Sequence, residues 1–251
     1  MKKFLILSLI LMIGFSVSAG AETYIVKVGP FEKLKITGNI SVVYKNVADS
    51  IGLARYEAPE GLNNIFEFEN KKEELLKISP GNDDWGKNDL PVIFVYSEFL
   101  TSVESYSEKD VNILNPEPSA EFTASLIGNG SLSVEGLKCN NINASLSTGN
   151  GSIYLTGSCV TANLKMIGTG LISADQLQSE NVNCKILGTG SIGCWPVDNL
   201  KVTGLGSTKI YYKGKPNIKK KGGGKLFELP EETKGKTGTE LRSLTLPSED
   251  E

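Results

Sequence analysis

The sequence predicts an all-β protein, a right-handed parallel β-helix-like stack of coils of about 20 residues with Gly-x-Gly corners. Three observations carry this. Gly-x-Gly recurs at Gly128/Gly130, Gly149/Gly151, Gly168/Gly170, Gly188/Gly190 and Gly204/Gly206, with a degenerate copy at Gly222, Gly223 and Gly224. The starts lie 21, 19, 20, 16 and 18 residues apart. Between the glycines apolar and polar residues alternate with period two, and no segment of useful length has helix period, which excludes leucine-rich and helical-hairpin repeats.

Alignment on the first glycine of each copy gives the columns. Counting back five, four, three and two residues finds Asn163/Asn183/Asn199/Asn217, Leu164/Cys184/Leu200/Ile218, Lys165/Lys185/Lys201/Lys219 and Met166/Ile186/Val202/Lys220. A strand with one buried and one wet face is expected. After the second glycine come Ser131, Ser152, Ser191 and Ser207, then the aliphatic column Leu132, Ile153, Ile172 and Ile192. The glycines mark a bend that needs positive φ or close backbone approach. Stacked amides predict a hydrogen-bonded asparagine ladder. Thr148 is one residue too many and is expected to bulge.

Taken in order, the chain opens with Lys2 and Lys3, an apolar run from Phe4 to Val17 and the small-x-small site Ala19-Gly20-Ala21. This predicts a secretory signal peptide over residues 1–21, cleaved before Glu22, with no membrane-spanning segment in the mature chain. Residues 22–115 read as an N-terminal β region, 120–227 as the repeat region and 228–251 as a flexible charged tail. In the first, Phe31–Tyr44 is a strand pair, and Leu34-Lys35-Ile36-Thr37-Gly38 echoes Leu200-Lys201-Val202-Thr203-Gly204. Further strands are expected at Ile51–Tyr56, Ile65–Glu69, Leu75–Ile78, Val92–Tyr96 and Leu100–Ser105, with a short helix near Pro59–Asn63. The best boundary is Asn115-Pro116-Glu117-Pro118-Ser119.

Together the Phe31–Tyr44 pair, Leu75-Leu76-Lys77-Ile78, Val92-Ile93-Phe94-Val95-Tyr96 and the Gly-x-Gly repeats resemble the auto-transporter adhesin family with a head GIN domain, secreted proteins of Bacteroidetes-type bacteria. The similarity covers roughly residues 24–226. It implies a β-helix-like all-β fold and an adhesin-like role, and supplies no catalytic residues.

Composition narrows the chemistry. The chain has no histidine, which removes Ser-His-Asp triads, histidine bases and histidine metal ligands. Of its 26 lysines and arginines, two lie in the leader, leaving 24 against 29 acids. That mildly acidic balance argues against general nucleic-acid binding. In the repeat the acids Glu135, Asp175, Glu180 and Asp198 share no column, whereas glycoside cleavage needs two carboxylates at a set separation. Gly188-Thr189-Gly190-Ser191-Ile192-Gly193 matches a dinucleotide fingerprint, but Cys194-Trp195-Pro196 follows in place of a helix, so it reads as a corner.

The lysine column Lys165, Lys185, Lys201 and Lys219 reads either as a strip for an anion or glycan or as a solvated face. Cys139 and Cys159 share a column and are candidates for a disulfide between coils; Cys184 and Cys194 pair or stay as buried thiols. Trp195, Tyr211 and Tyr212 are a sugar-stacking patch or packing. The expectation is an exported, non-catalytic, adhesin-like binding protein of the bacterial envelope, with no metal or cofactor. Its partners would be a glycan or an envelope or matrix protein. A carbohydrate-active enzyme or a structural envelope component is the alternative.

Overall fold

The computed structural model describes residues 21–61, 64–72, 74–81 and 90–230. The described residues form seventeen strands and one short 3₁₀ turn at Ala48–Ser50. The strands before the repeat are β1 (Ala21–Lys27), β2 (Lys33–Ile36), β3 (Val42–Lys45), β4 (Leu53–Pro59), β5 (Phe66–Lys71), β6 (Leu75–Pro80), β7 (Ile93–Tyr96), β8 (Ser102–Ser105) and β9 (Asp110–Leu114). The repeat supplies β10 (Ser119–Ile127), β11 (Ser131–Ser147), β12 (Ser152–Gly168), β13 (Leu171–Gly188), β14 (Ser191–Leu205), β15 (Lys209–Tyr212), β16 (Asn217–Gly222) and β17 (Lys225–Glu228). They wind into a β-solenoid of about six turns, with coils roughly 20 residues apart.

Each long strand bends and serves two faces. Its second limb joins face one, in the order β5–β6–β2–β8–β10–β11–β12–β13–β14–β16. Its first limb joins face two, β1–β4–β7–β3–β9–β11–β12–β13–β14–β15–β17. Pairing is parallel except at the start of each face, where β1–β4, β4–β7 and β5–β6 run antiparallel. Hydrogen bonding crosses residues 115–119, because β8 pairs with β10 and β9 with β11.

The period-two alternation sends every second side chain inward. Val42, Val111, Leu132, Ile153, Ile172, Ile192 and Ile210 follow one another in register along face two, all buried. Opposite them, Leu126–Leu146–Met166–Ile186 and Ala124–Ala144–Leu164–Cys184–Val202 line the inside of face one. Each aliphatic side chain so buried contributes about 1.5–3 kcal/mol against exposure. The small alanines sit beside leucines and a methionine, so the interior is filled without overlap.

The two ends differ. At the amino end Tyr24 stacks on Tyr56 with ring centroids 5.3 Å apart, and Phe66 meets Tyr56 edge-on at 5.0 Å. These rings and the antiparallel strands close the core. At the other end every residue of β16 is exposed. Lys220 falls in the inward column, next to Val202, yet is exposed because no described coil covers it. Lysines on an open edge discourage pairing with another chain.

Glycine alignment misplaces one coil. β14 passes from Cys194 straight to Trp195, where β13 has Asp175, Gln176 and Leu177 between the register partners Ala174 and Gln178. One extra residue between Pro196 and Asn199 leaves the coil two residues short. Gly204 therefore pairs with Ile186, and Gly206 stands over Gly188, where a Cβ would meet the Gly188 carbonyl oxygen at 2.0 Å. The serine column is corrected likewise: Ser191 pairs with Lys209, not Ser207. Thr148 does bulge, at φ 58°, and the pairing offset changes across it.

The expected strands in the amino-terminal half match β2 to β8 within a few residues, while β1 and β9 were not anticipated. The helix expected near 59–63 is the end of β4 and a turn at 60–61, with Leu62 and Asn63 outside the described residues. The leader over residues 1–20 and the tail from residue 231 lie outside them too. Residues Ala21 and 228–230 are described. No described helix is long and apolar enough to cross a membrane.

Candidate binding face

The four lysines read from sequence all reach the outside of face one, but as two columns. Lys165 pairs in register with Lys185, and Lys201 with Lys219. The single column is broken at β14, where Lys201 lies against Asn183 and Lys185 against Thr203. The cause is the two-residue shortening of that coil. Positions two apart on a strand point the same way, so both columns share one surface. Lys221 extends the first column beyond Thr203.

The asparagine ladder is likewise two ladders. Asn163 Nδ2 donates to Asn143 Oδ1 at 3.0 Å, and Asn183 Nδ2 donates to Asn163 Oδ1 at 3.0 Å. Asn143 Nδ2 in turn donates to Glu121. The second ladder joins Asn199 to Asn181 at 2.8 Å, with Asn217 next in register. Asn143 was missed in the sequence columns, although discounting the Thr148 bulge places it there. Asn181 was missed because the short coil shifts Asn199 onto it.

Between these columns runs a groove of about 440 Å³. Thr123, Ser145 and Thr203 supply hydroxyls, Asn143, Asn163 and Asn183 amides, and Lys165, Lys185 and Lys201 ammonium groups. Two lysines toward the amino end of the same face are matched. Lys33 pairs with Glu74, and Lys35 reaches Glu104 at 3.0 Å. Lys165, Lys185, Lys201, Lys219 and Lys221 are exposed and make no ion pair with a described residue. Lys33 and Lys35 at the amino end of the face thus have carboxylate partners, whereas the lysines toward the carboxyl end have none among the described residues. Stacked like charges about 4.8 Å apart repel mildly, and a bound anion would relieve that.

The other candidates are occupied by structural contacts. Asp175 accepts a hydrogen bond from Ser173 at 2.6 Å and pairs with Lys213 at 3.6 Å. Lys213 also lies over the Trp195 ring, 5.7 Å from its centroid. Tyr211 stacks on Phe227 at 5.2 Å, joining the last two coils of face two, and Tyr212 packs on the core. The residues after Gly190 form a strand, so the fingerprint-like glycines are a corner. Among the described residues no group of three or more Cys, Asp or Glu is placed to hold a metal ion.

Cys139 and Cys159 are register partners, and the Cys159 thiol lies 3.1 Å from the Ser179 hydroxyl. The neighbouring Cys159, together with burial, pushes the Cys139 thiol above its usual range. Cys184 and Cys194 are both buried, and the neighbouring Cys184, together with burial, raises the Cys194 thiol. All four are free thiols in this structure.

Curated proteins give no match. A crystal structure described as a "putative adhesin" from Bacteroides fragilis superposes with a TM-score of 0.74 at 24% identity, covering 84% of this chain and 98% of its own. A "putative lipid binding protein" from Parabacteroides distasonis gives 0.65 at 19%, covering 85% and 98%. A "putative adhesin" from Parabacteroides merdae gives 0.63 at 21%, with the same coverage. At these identities the likeness establishes the solenoid fold. A family model also matches residues 30–216, and the chain therefore belongs to the family described as "Putative auto-transporter adhesin, head GIN domain".

Proposed function

We propose that this is an exported, non-catalytic, adhesin-like protein of the bacterial envelope that uses the lysine face to hold a polyanionic partner, an acidic glycan first. The observation that carries the reading is the uncompensated set Lys165, Lys185, Lys201 and Lys219 beside an amide- and hydroxyl-lined groove. Export is supported by Lys2, Lys3, the Phe4–Val17 run and the Ala19-Gly20-Ala21 site. The adhesin description of the family supports the same direction. Two adjacent lysine pairs on neighbouring coils, whose strands are about 4.8 Å apart, present several ammonium groups at once to a polymer with repeated acid groups.

The test is retention on immobilised polygalacturonate against neutral dextran. The wild-type protein is expected to be retained on the acidic matrix at low salt and released as salt screens the charges. The K165Q/K185Q/K201Q/K219Q variant is expected to pass through. Failure of the wild type to bind, or retention indifferent to the four changes, removes the reading.

We also propose that export allows Cys139 and Cys159 to form a disulfide across β11 and β12. Register partners about 4.8 Å apart fall within the range a disulfide bridges. Two thiols give up two protons and two electrons to an exported disulfide donor. Intact mass and peptide mapping of protein purified from the exported fraction decide it: a 139–159 linked peptide is expected, and alkylation of both thiols without reduction rules it out.

A further inference from the structure

Beside the lysines stands an apolar ridge. Ile127, Ser147, Ile167, Leu187 and Leu205 are register partners on the outside of face one, two residues beyond the Ser125–Ser145–Lys165–Lys185–Thr203 column. Toward the carboxyl end the ridge becomes continuous and rises into solvent: Ile167 is half-buried, Leu187 is 44% exposed and Leu205 is 72% exposed. Leu205 is the most exposed large apolar side chain among the described residues. Its exposure is built into the stack. Gly222 lies over Gly204 and Gly223 over Gly206, so no residue of β16 is in register over Leu205.

We infer that this edge seats on the surface of an anionic lipid bilayer, with Leu205, Leu187 and Ile167 entering the headgroup layer and Lys165, Lys185, Lys201 and Lys219 binding its acidic headgroups. The inference rests on the lysine-face reading and names a second polyanion for it. Charge and apolar surface together select the occupant. A soluble acidic glycan satisfies the lysines and makes no use of three aliphatic side chains. Protein interfaces are depleted of lysine at their centre, whereas here the ridge is flanked by lysines. An anionic bilayer uses both, since peripheral attachment needs an apolar insertion together with a basic patch. Each lysine near such a surface strengthens binding about fivefold, and a leucine that enters the acyl boundary about tenfold or more.

Vesicle co-sedimentation tests this with the full mature chain. Vesicles of pure phosphatidylcholine are compared with equal parts phosphatidylcholine and phosphatidylglycerol. Binding to the mixed vesicles alone is expected. L187Q/L205Q is expected to weaken it tenfold or more while leaving polygalacturonate retention unchanged, and K165Q/K185Q is expected to weaken both. L205W is expected to shift its fluorescence to the blue with mixed vesicles only, an independent readout should the double variant fold poorly. Retention on polygalacturonate without vesicle binding overturns the bilayer inference and leaves the lysine-face reading standing. Vesicle binding indifferent to Leu187 and Leu205, or an unshifted L205W, overturns it as well. Binding to neither overturns both.

Discussion

Lys201 stands against Asn183 in the β13–β14 register, two residues from the Lys185 that glycine spacing assigns to it. The offset turns one stripe into a patch two columns wide. It also sets Gly206 over Gly188. A separate loss of one residue between Gly222 and Gly223 leaves Leu205 with no described register partner above it.

Backbone contact at the corners makes small changes costly. An alanine Cβ at Gly188 would lie 2.0 Å from the Gly168 carbonyl oxygen, and one at Gly190 would lie 2.2 Å from the Gly170 oxygen. Neither residue has positive φ, so the objection is collision with the coil below and not conformation. Gly188→Ala is expected to destabilise by about 2–3 kcal/mol or more, as overpacking does. Urea denaturation checks it through the midpoint.

The amide ladder supports the stack locally. Asn163 donates to Asn143 and accepts from Asn183, both at 3.0 Å. Asn163→Ala is expected to cost about 1 kcal/mol, since the partners are part-exposed and regain water. A double-mutant cycle with Asn143→Ala should show a coupling of about 0.5 kcal/mol, because the two changes delete one shared bond.

Lys213 stands over the shortened coil, its backbone N–H donating to the Cys194 carbonyl at 3.0 Å. It is 9% exposed, reaches Asp175 at 3.6 Å and lies over Trp195. Lys213→Met keeps the aliphatic stem and removes the charge. It is expected to cost about 1–3 kcal/mol, between an exposed and a fully buried pair. Pairing with Asp175→Asn should return part of that loss in thermal denaturation.

The Lys35–Glu104 pair gives a pH-dependent increment. The Tyr106 hydroxyl first, and Lys35 with it, holds the Glu104 carboxyl below its ordinary 4.5. A depressed folded value means the contribution is present in full above the unfolded pKa and is lost as pH falls through the folded one. The Glu104 side chain is 37% exposed, so screening keeps the increment below about 1 kcal/mol. The stability difference between wild type and Glu104→Gln is expected to close below the ordinary glutamate range. Denaturation midpoints across acid pH measure it.

Much of this molecule is legible as text. Leu132, Ile153, Ile172 and Ile192 form one inward column because period-two alternation and a constant coil length suffice to stack them. The lysines and asparagines were assigned correctly to the outside for the same reason. What failed was the join at β14. There Gly204 looks like every other leading glycine, and only hydrogen-bond register reveals that Gly206 takes its place.

The sequence alone determined the coil, its inward residues and the outward polarity, because these follow from local alternation and recurring glycines. The tertiary structure decided which outward residues are neighbours: Lys201 with Asn183, Asn163 with Asn143, and Leu205 with no described residue in register over it. A side-chain column in a solenoid is made by pairing between coils. Three residues missing from one bend and one gained beyond it displace everything that follows by two positions while leaving each local pattern intact.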